Sequence, residues 1–260
     1  MGAVVDSDFG PIVCDPHDRH VSRQLLKWGH YNPDEARKYQ DLLQQSSTAL
    51  IIGSHIGALT LQLAANVDKL TCIEANPRNY ELLKLNVAMQ NLSSKVCCVN
   101  VAVAERTGSV EFLCSRDNTG GSKIKPKHLD VDFRYDQPEP IQVATISLDT
   151  FFSRESFDFI LMDIEGSEFA AIRGGQDLLQ RCKIFSVEFV PRHVERVAGV
   201  SICDFAITLL SLDFDYVEFP GCGIKGDPRE ILLSTLLSIR DRDGYEDGII
   251  FTRADKGIDL

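Results

Sequence analysis

The sequence is short of basic residues: 27 Lys and Arg stand against 38 Asp and Glu, for a formal net charge of −11. Such an excess of acids works against sequence-independent attraction to phosphate backbones and to anionic membranes. The chain also lacks any apolar run near the length of about 20 residues that crosses a bilayer, and its first residues show no basic-then-apolar signal pattern. The sequence therefore predicts neither a nucleic-acid partner nor a membrane partner.

The eight cysteines include no Cys-x-x-Cys pair, and several lie inside apolar runs that are typical of strands. This usage is typical of reduced core thiols in a cytoplasmic protein. Cys14, His17 and His20 are close in the chain, but no fourth ligand is spaced to join them. We predict no metal site and a cytoplasmic location.

The most informative stretch is residues 48–60, where an apolar run breaks at Gly53, returns at Gly57 and continues with a helical pattern. Such a turn presents backbone N–H groups at a helix N-terminus, where an adenosyl cofactor or a phosphate can approach without meeting a side chain. Glu74 follows 21 residues after Gly53 and ends the next apolar run. A carboxylate at that offset can accept the two hydroxyls of a ribose, so residues 48–80 are predicted to bind a nucleoside cofactor.

From residue 48 onward, apolar runs with little alternation are separated by amphipathic helices, which indicates a parallel sheet covered on both faces. Right-handed crossovers place the loops after these strands at one edge, where ligands of doubly wound sheets bind. The predicted parts are an irregular segment at 1–16, helices at 17–28 and 33–45 within an N-terminal helical extension or lid at 1–47, and one domain at 48–260 with an inserted functional loop at 115–140.

Acidic side chains follow two of the apolar runs. Asp163 ends one run, and Glu165 and Glu168 come directly behind it at the start of a helix. Three carboxylates in six residues are costly to crowd together unless they meet cations, protons or hydrogen-bond donors. Capping of the helix explains Glu165 and Glu168 but leaves Asp163 unexplained. Glu188, near the end of another run and followed by His193, is predicted to point to the same edge.

Four motifs occur in order between residues 48 and 190. They are Gly53-Ser-His-Ile-Gly57-x-x-Thr60, then Ile73-Glu74-Ala-Asn-Pro77-x-x-Tyr80-x-x-Leu83-x-x-Asn86, then Ser147-Leu148-Asp149, and finally Leu161-x-Asp163-Ile-Glu165-Gly166-x-Glu168. Their order and spacing resemble the successive motifs of the FkbM family of S-adenosylmethionine-dependent methyltransferases.

The resemblance implies an α/β, Rossmann-like class I methyltransferase fold: a seven-stranded, mostly parallel sheet with the last strand antiparallel and helices on both faces. It implies S-adenosyl-L-methionine as the cofactor. It also implies a reaction that is mostly O-methylation of small molecules, sugars or natural-product scaffolds.

The resemblance further implies a set of cofactor contacts. These are Gly53, Ser54, His55 and Gly57 around the methionine and ribose, Thr60 in the same motif, Glu74 at the ribose hydroxyls, Ala75 and Asn76 beside the adenosine, Asn100 and Ala102 at the adenine, and Met162 and Asp163 beneath the transferring methyl. The family pattern usually has an acid two residues before the first glycine, whereas this chain has Ile51. Because that acid helps to hold the amino-acid end of the cofactor, Ile51 predicts weaker binding or an inactive relative.

The sulfonium of this cofactor is already an activated methyl donor, so the protein mainly has to align an acceptor oxygen and remove a proton. A hydroxyl acceptor benefits from a general base. The candidate bases are Asp163, Glu165, Glu188 and His193, with Asp163 as the first choice, and the predicted partner is a small-molecule or glycan acceptor.

Two other interpretations stay open at this point. A nicotinamide-dependent dehydrogenase also uses a glycine turn followed by an acid. Its G-x-G-x-x-G fingerprint, however, requires glycine where this chain has His55. A methyltransferase-like domain kept as a binding or scaffold module would explain Ile51 and the long acidic C-terminal portion. Binding of S-adenosylmethionine or S-adenosylhomocysteine separates the enzyme from the scaffold.

Overall fold

The computed structural model describes residues 2–43, 48–128, 133 and 136–254. The strands are β1 (Ala3–Ser7), β2 (Gly10–Cys14), β3 (Thr48–Ile52), β4 (Lys69–Ile73), β5 (Val96–Val99), β6 (Ala102–Val103), β7 (Gly108–Cys114), β8 (Lys123–Ile124), β9 (Glu139–Ile146), β10 (Phe159–Met162), β11 (Ile184–Phe189), β12 (Tyr216–Phe219), β13 (Ile224–Gly226) and β14 (Glu246–Thr252). The helices are α1 (Val21–Trp28), α2 (Pro33–Leu43), α3 (Ala58–Leu63), α4 (Pro77–Met89), α5 (Leu148–Phe151), α6 (Glu168–Arg173), α7 (Gln176–Arg181), α8 (Ile202–Leu210) and α9 (Pro228–Asp241).

The central sheet has the strand order β13-β12-β14-β11-β10-β3-β4-β5. The pairs from β11 through β10, β3 and β4 to β5 are parallel, whereas β14 runs antiparallel to both of its neighbours. This confirms the predicted Rossmann-like fold with a reversed last strand. The short strand β13 adds an eighth member at the edge, next to β12.

Both faces of the sheet are covered, which is why its strands lack an apolar–polar alternation. Ile51 and Leu161 lie on one face, in a cluster with Tyr39 of α2 and with residues of α3 and α4. Ile52 and Met162 lie on the other face, in a cluster with residues of helices α6 to α9. Since parallel strands present their carboxyl ends at one edge, the loops after β3, β4, β10 and β11 meet there.

The prediction that residues 1–16 are irregular is wrong for most of them, because β1 and β2 pair antiparallel over five residue pairs. The chain reverses direction at Gly10, whose φ of 101° suits glycine. Ile12 is fully buried with Leu25 of α1 and Ile56 of the glycine turn. Each strand is too short for its alternation to stand out in the sequence, so tertiary packing decides its structure.

The predicted helices of the N-terminal part begin and end differently in the structure. Helix α1 begins at Val21 rather than residue 17, and the carboxylate of Asp18 accepts a hydrogen bond from the Ser22 N–H at 2.7 Å. Helix α2 is described to Leu43, and the last two predicted residues, 44–45, lie outside the described residues. In the described ranges, none of the helices has the length and apolar character of a membrane span.

The inserted segment 115–140 belongs to a second sheet of order β6-β9-β7-β8. Within it, Thr119–Gly121 form a short 3-10 turn, β8 follows directly, and β9 begins at Glu139. Of this segment, residues 129–132 and 134–135 lie outside the described part of the chain. The predicted loop is therefore partly regular structure.

One buried side chain ties the N-terminal hairpin to the sheet edge. Asn86, on α4 and fully buried, accepts a hydrogen bond from the Val13 N–H at 2.6 Å. Its amide nitrogen donates to the carbonyl oxygens of Val13 at 2.9 Å and Ile56 at 2.8 Å. Asn86 therefore satisfies three backbone groups that would otherwise be buried without partners.

We expect Asn86→Leu to lower the free energy of unfolding by about 3 kcal/mol or more, because each orphaned buried group costs about 1–3 kcal/mol. Denaturant unfolding followed by circular dichroism measures this loss. Gln90→Leu is the matched control, because Gln90 follows the same helix and makes a single solvent-exposed bond to the Pro11 carbonyl at 3.1 Å. Equal losses for the two variants would contradict the role given to Asn86.

Candidate active site

A cavity of about 470 Å³ lies at the edge where β3, β4, β10 and β11 end. Its floor includes residues that follow these strands, among them Gly53, Glu74 and Asp163. The other walls come from the N-terminal part, from the inserted segment around Thr119, and from β14. The cavity thus gathers side chains that are far apart in the sequence.

Gly53 makes the close approach of two strand ends possible. Its φ is 94°, and a Cβ atom at this position would overlap the backbone carbonyl oxygen of Asp163. The N–H groups of Gly53 and Ser54 both donate to the Ile73 carbonyl oxygen, at 2.9 and 3.0 Å. A side chain at residue 53 would separate β3 from the Asp163 loop and open the floor of the cavity.

Glu74 is held by the backbone on both sides. One carboxylate oxygen accepts the His55 N–H at 2.8 Å, and the other accepts the Asn76 N–H at 2.8 Å. Burial raises the pKa of Glu74 to about 7, against the opposing effect of these donors. Each oxygen keeps a lone pair, so the carboxylate can still accept hydroxyl groups of a ribose from the cavity side.

The predicted adenine side of the cavity is apolar. Ala75 and Ala102 lie in the wall together with Phe112 and Ile124, and all four belong to one apolar cluster at the second sheet. Ser54 and His55 lie in the wall beside Gly53. The structure thus brings seven of the predicted cofactor residues to one cavity: Gly53, Ser54, His55, Glu74, Ala75, Ala102 and Asp163.

Five other predicted cofactor residues lie behind the wall rather than in it: Gly57, Thr60, Asn76, Asn100 and Met162. The amide of Asn100 donates to the carbonyl oxygen of Glu74 at 2.7 Å, and Asn76 caps α4 by accepting the Arg78 N–H at 3.0 Å. Met162 is fully buried in the core. Asn76 and Asn100 thus support the turns, and direct contact of all five residues with a cofactor stays a prediction.

The acids after β10 and in β11 converge. Carboxylate oxygens of Asp163, Glu165 and Glu188 lie within 4.8 Å of one another. Asp163 is accessible from the cavity, yet burial and the charges of Glu165 and Glu168 raise its pKa well above the usual value. Burial and the charge of Asp163 raise the pKa of Glu188 in the same direction. The cluster therefore favours protons or a positively charged ligand.

Glu165 has an internal cation of its own. Its backbone is left-handed, with φ of 57°, and its carboxylate lies 3.1 Å from the Nζ atom of Lys123. His193 Nε2 is 3.4 Å from the same Nζ and 3.5 Å from the Glu165 carboxylate. Burial and the charge of Lys123 lower the pKa of His193 to about 4. His193 is therefore neutral at neutral pH, with Nε2 accepting from Lys123.

His193 lies outside the main cavity, in the wall of a smaller one of about 230 Å³ that it shares with Lys123 and Glu165. Its Nδ1 is 3.7 Å from the Glu188 carboxylate, which is beyond hydrogen-bond distance. The structure thus brings Asp163, Glu165 and Glu188 to the main cavity and places His193 behind them.

Glu168 lies in the first turn of α6, where an acid was expected, but it bonds to the turn before the helix rather than capping the helix. Its two carboxylate oxygens accept the N–H groups of Ile164 at 2.8 Å and Gly166 at 2.9 Å, and burial raises its pKa to about 7. Glu168 therefore stabilises the turn that presents Asp163. Glu165 pairs with Lys123 and does not cap the helix either.

The described residues in the wall include no Lys or Arg, and their six carboxylates come from Glu35, Glu74, Asp163, Glu165, Glu188 and Asp247. The end of β3 contributes only Ile51 and Ile52. A cavity of this charge suits a ligand with a positive centre, such as a sulfonium or an ammonium group.

Sequence reasoning did not identify Glu35, Asp247, Thr119 or Lys123 as parts of the site. Glu35 sits in the first turn of α2, where an acid has a sufficient explanation in the helix dipole. Asp247 and Lys123 lie inside strands, and Thr119 begins a short 3-10 turn. None of them has a local pattern that separates it from a surface residue.

Comparison with known proteins identifies a family for this chain. The family model of the methyltransferase FkbM domain matches residues 52–223, more than half of the chain. The 2-O-methyltransferase NoeI of Sinorhizobium fredii (strain NBRC 101917 / NGR234) is 27% identical over 132 residues, which cover 46% of this chain and 53% of that protein. The chain thus matches about half the length of this curated relative.

Similar solved structures include a methyltransferase FkbM from Methylobacillus flagellatus KT, with 17% identity and a TM-score of 0.47, covering 80% of this chain and 43% of that one. An O-methyltransferase from Bacillus cereus in complex with SAH has 17% identity and a TM-score of 0.45, covering 90% and 86% of the two chains. The family match leaves the dehydrogenase interpretation without support. The chain therefore belongs to the methyltransferase FkbM domain family, whose cofactor is S-adenosyl-L-methionine.

Proposed function

We propose that the protein methylates a hydroxyl group on a small molecule, a sugar or a natural-product scaffold, with Asp163 as the general base. The observation that carries the proposal is the position of Asp163, at the tip of β10 in the wall of the main cavity. Among the described residues, none donates a hydrogen bond to its carboxylate, which stays free to accept a proton. The similarity to NoeI, a 2-O-methyltransferase, also supports a hydroxyl acceptor.

The residues of the cavity fit the cofactor. When bound, S-adenosyl-L-methionine supplies an activated methyl group on a positively charged sulfur. Glu74 would accept the ribose hydroxyls, and the wall around Ala75 and Ala102 would receive the adenine. Gly53, Ser54 and His55 would border the methionine part. The acids from α2, β10 and β14 would lie close to the positive charge of the cofactor and replace the acid that the end of β3 lacks.

Asp163 is the strongest of the four candidate bases. Glu165 already pairs with Lys123 at 3.1 Å, and the lone pair of His193 Nε2 faces the same ammonium. Glu188 lines the same cavity and would be the nearest substitute. A raised pKa makes the Asp163 carboxylate a stronger proton acceptor than an ordinary carboxylate.

We expect S-adenosylmethionine to bind more tightly than S-adenosylhomocysteine, by a ratio that increases as the pH is raised. The pKa values of Asp163, Glu188, Glu35 and Asp247 are raised, so these acids lose protons as the pH rises, and their negative charge favours only the sulfonium. Isothermal titration calorimetry measures both affinities. The two ligands share the same amino group, so its titration cancels in the ratio.

Two results of this titration would contradict the account. A ratio that stays constant with pH would exclude the electrostatic explanation of cofactor selectivity. Absence of binding by either ligand at millimolar concentration would favour the scaffold interpretation over an enzyme.

We expect Asp163→Asn to lower turnover by about a hundredfold or more, which is the range for loss of a general base. Turnover is measured as transfer of radiolabelled methyl groups to a panel of hydroxyl-bearing sugars and phenols. Glu188→Gln is tested beside it, and Glu218→Gln on strand β12, outside the cavity wall, is the matched control. If Asp163→Asn and Glu188→Gln both keep full turnover, alignment of the acceptor suffices and the base assignment is wrong.

A further inference from the structure

A chain of hydrogen bonds connects the N-terminal part, the inserted segment and the glycine turn. The buried carboxylate of Asp18 accepts the Thr119 hydroxyl at 3.2 Å and the Thr119 N–H at 2.9 Å through one oxygen. The Thr119 hydroxyl oxygen is 2.8 Å from His55 Nε2. The three residues therefore form one continuous connection across segments that are far apart in the chain.

The direction of each hydrogen bond follows from the donors available. A carboxylate oxygen accepts, so the single hydroxyl proton of Thr119 goes to Asp18. The hydroxyl oxygen then accepts from His55, which requires the proton of the imidazole to be on Nε2. Burial lowers the pKa of His55 to about 4, so the ring stays neutral and has one proton to place. Its Nδ1 is buried and has no partner in the described chain.

The backbone of His55 carries the connection to the cofactor side. Its φ is 50°, in the left-handed region that is unfavourable for a residue with a side chain. This conformation directs the His55 N–H at the Glu74 carboxylate, 2.8 Å away. A side-chain anchor on Thr119 helps to hold the ring, and hence the backbone, in this conformation.

Thr119 is itself held in place. Its carbonyl oxygen accepts from the Asn79 amide at 3.1 Å and from the Ser122 hydroxyl at 2.7 Å. The second oxygen of Asp18 accepts the Ser22 N–H at 2.7 Å. The anchor is therefore fixed to α4 on one side and to α1 on the other.

We propose that Asp18 and Thr119 are positioning residues of the cofactor site, which act through His55 to hold the Glu74 carboxylate in place for the ribose. This inference rests on the proposed contact between Glu74 and the cofactor. The inference gives the N-terminal part and the inserted segment a role in cofactor binding. As additions to the central sheet, these two parts would otherwise be associated with recognition of the acceptor.

A double-mutant cycle tests the connection at pH 8, with adenosine and S-adenosylhomocysteine as ligands and calorimetry as the readout. Thr119→Val is expected to lower the affinity for both ligands about three- to tenfold, which is the equivalent of one hydrogen bond. Thr119→Ser, which keeps the hydroxyl, should restore the affinity. In a Glu74→Gln background the same Thr119→Val change should alter affinity by less than about twofold.

Thr208→Val is the matched control, because its hydroxyl bonds to the Asp204 carbonyl on helix α8, away from the cavity. Thermal unfolding of each variant verifies that it is folded. If Thr119→Val lowers ligand affinity by the same factor in the wild-type and Glu74→Gln backgrounds, the role of Thr119 is merely structural and the proposal is overturned. If the wild-type protein binds neither ligand, the proposed function fails, and this inference fails with it.

A second measurement is independent of ligand binding. Nitrogen-15 spectra of labelled histidine should show His55 as the Nε2–H tautomer at pH 7, and Thr119→Val should shift it toward a mixture of tautomers. Finding the Nδ1–H tautomer in the wild-type protein would reverse the deduced direction of the hydrogen bonds and overturn the positioning role.

Discussion

The electrostatic imbalance of the main cavity is the constraint on which the rest of the site depends. Six carboxylates face it, and no Lys or Arg side chain of the described residues lines it. Burial and the neighbouring acids raise the pKa values of Asp163 and Glu188, so a positive centre beside them is favoured. The cofactor of the family carries such a centre on its sulfur. The cavity therefore links cofactor binding to the ionisation of the same carboxylates from which the proposed base is drawn.

The fold places these acids by bringing strand ends into close contact. Gly53 lets β3 approach the backbone of Asp163 without a side chain between them. Glu168 stabilises the turn after β10 by accepting two backbone N–H groups. Lys123, from the inserted segment, pairs with Glu165, whereas the described residues include no such ion pair for Asp163. Each carboxylate of the cluster thus has a different environment and a different role.

The additions to the sheet are integrated into the cofactor side. Asn86 binds the hairpin strand β2 to the glycine turn, and Asp18 and Thr119 meet at His55. Glu35 on α2 brings an acid to the cavity, whereas the end of β3 contributes only isoleucines. A strand residue that differs from the family pattern, Ile51, therefore sits in a cavity whose negative charge comes from other elements. The acids on those other elements can still lie close to the positively charged end of the cofactor.

The sequence by itself determined the sheet and the chemistry of its edge. Apolar runs, Gly53 and the acids Glu74 and Asp163 have local signals, because burial on two faces, a positive φ and a carboxylate at a strand tip each restrict the residues that fit. Only the tertiary structure decided the hairpin at residues 3–14 and the contributions of Glu35, Thr119 and Lys123. Their roles depend on what lies opposite them in space, and neither a short strand nor a single polar side chain carries that information in its neighbours along the chain.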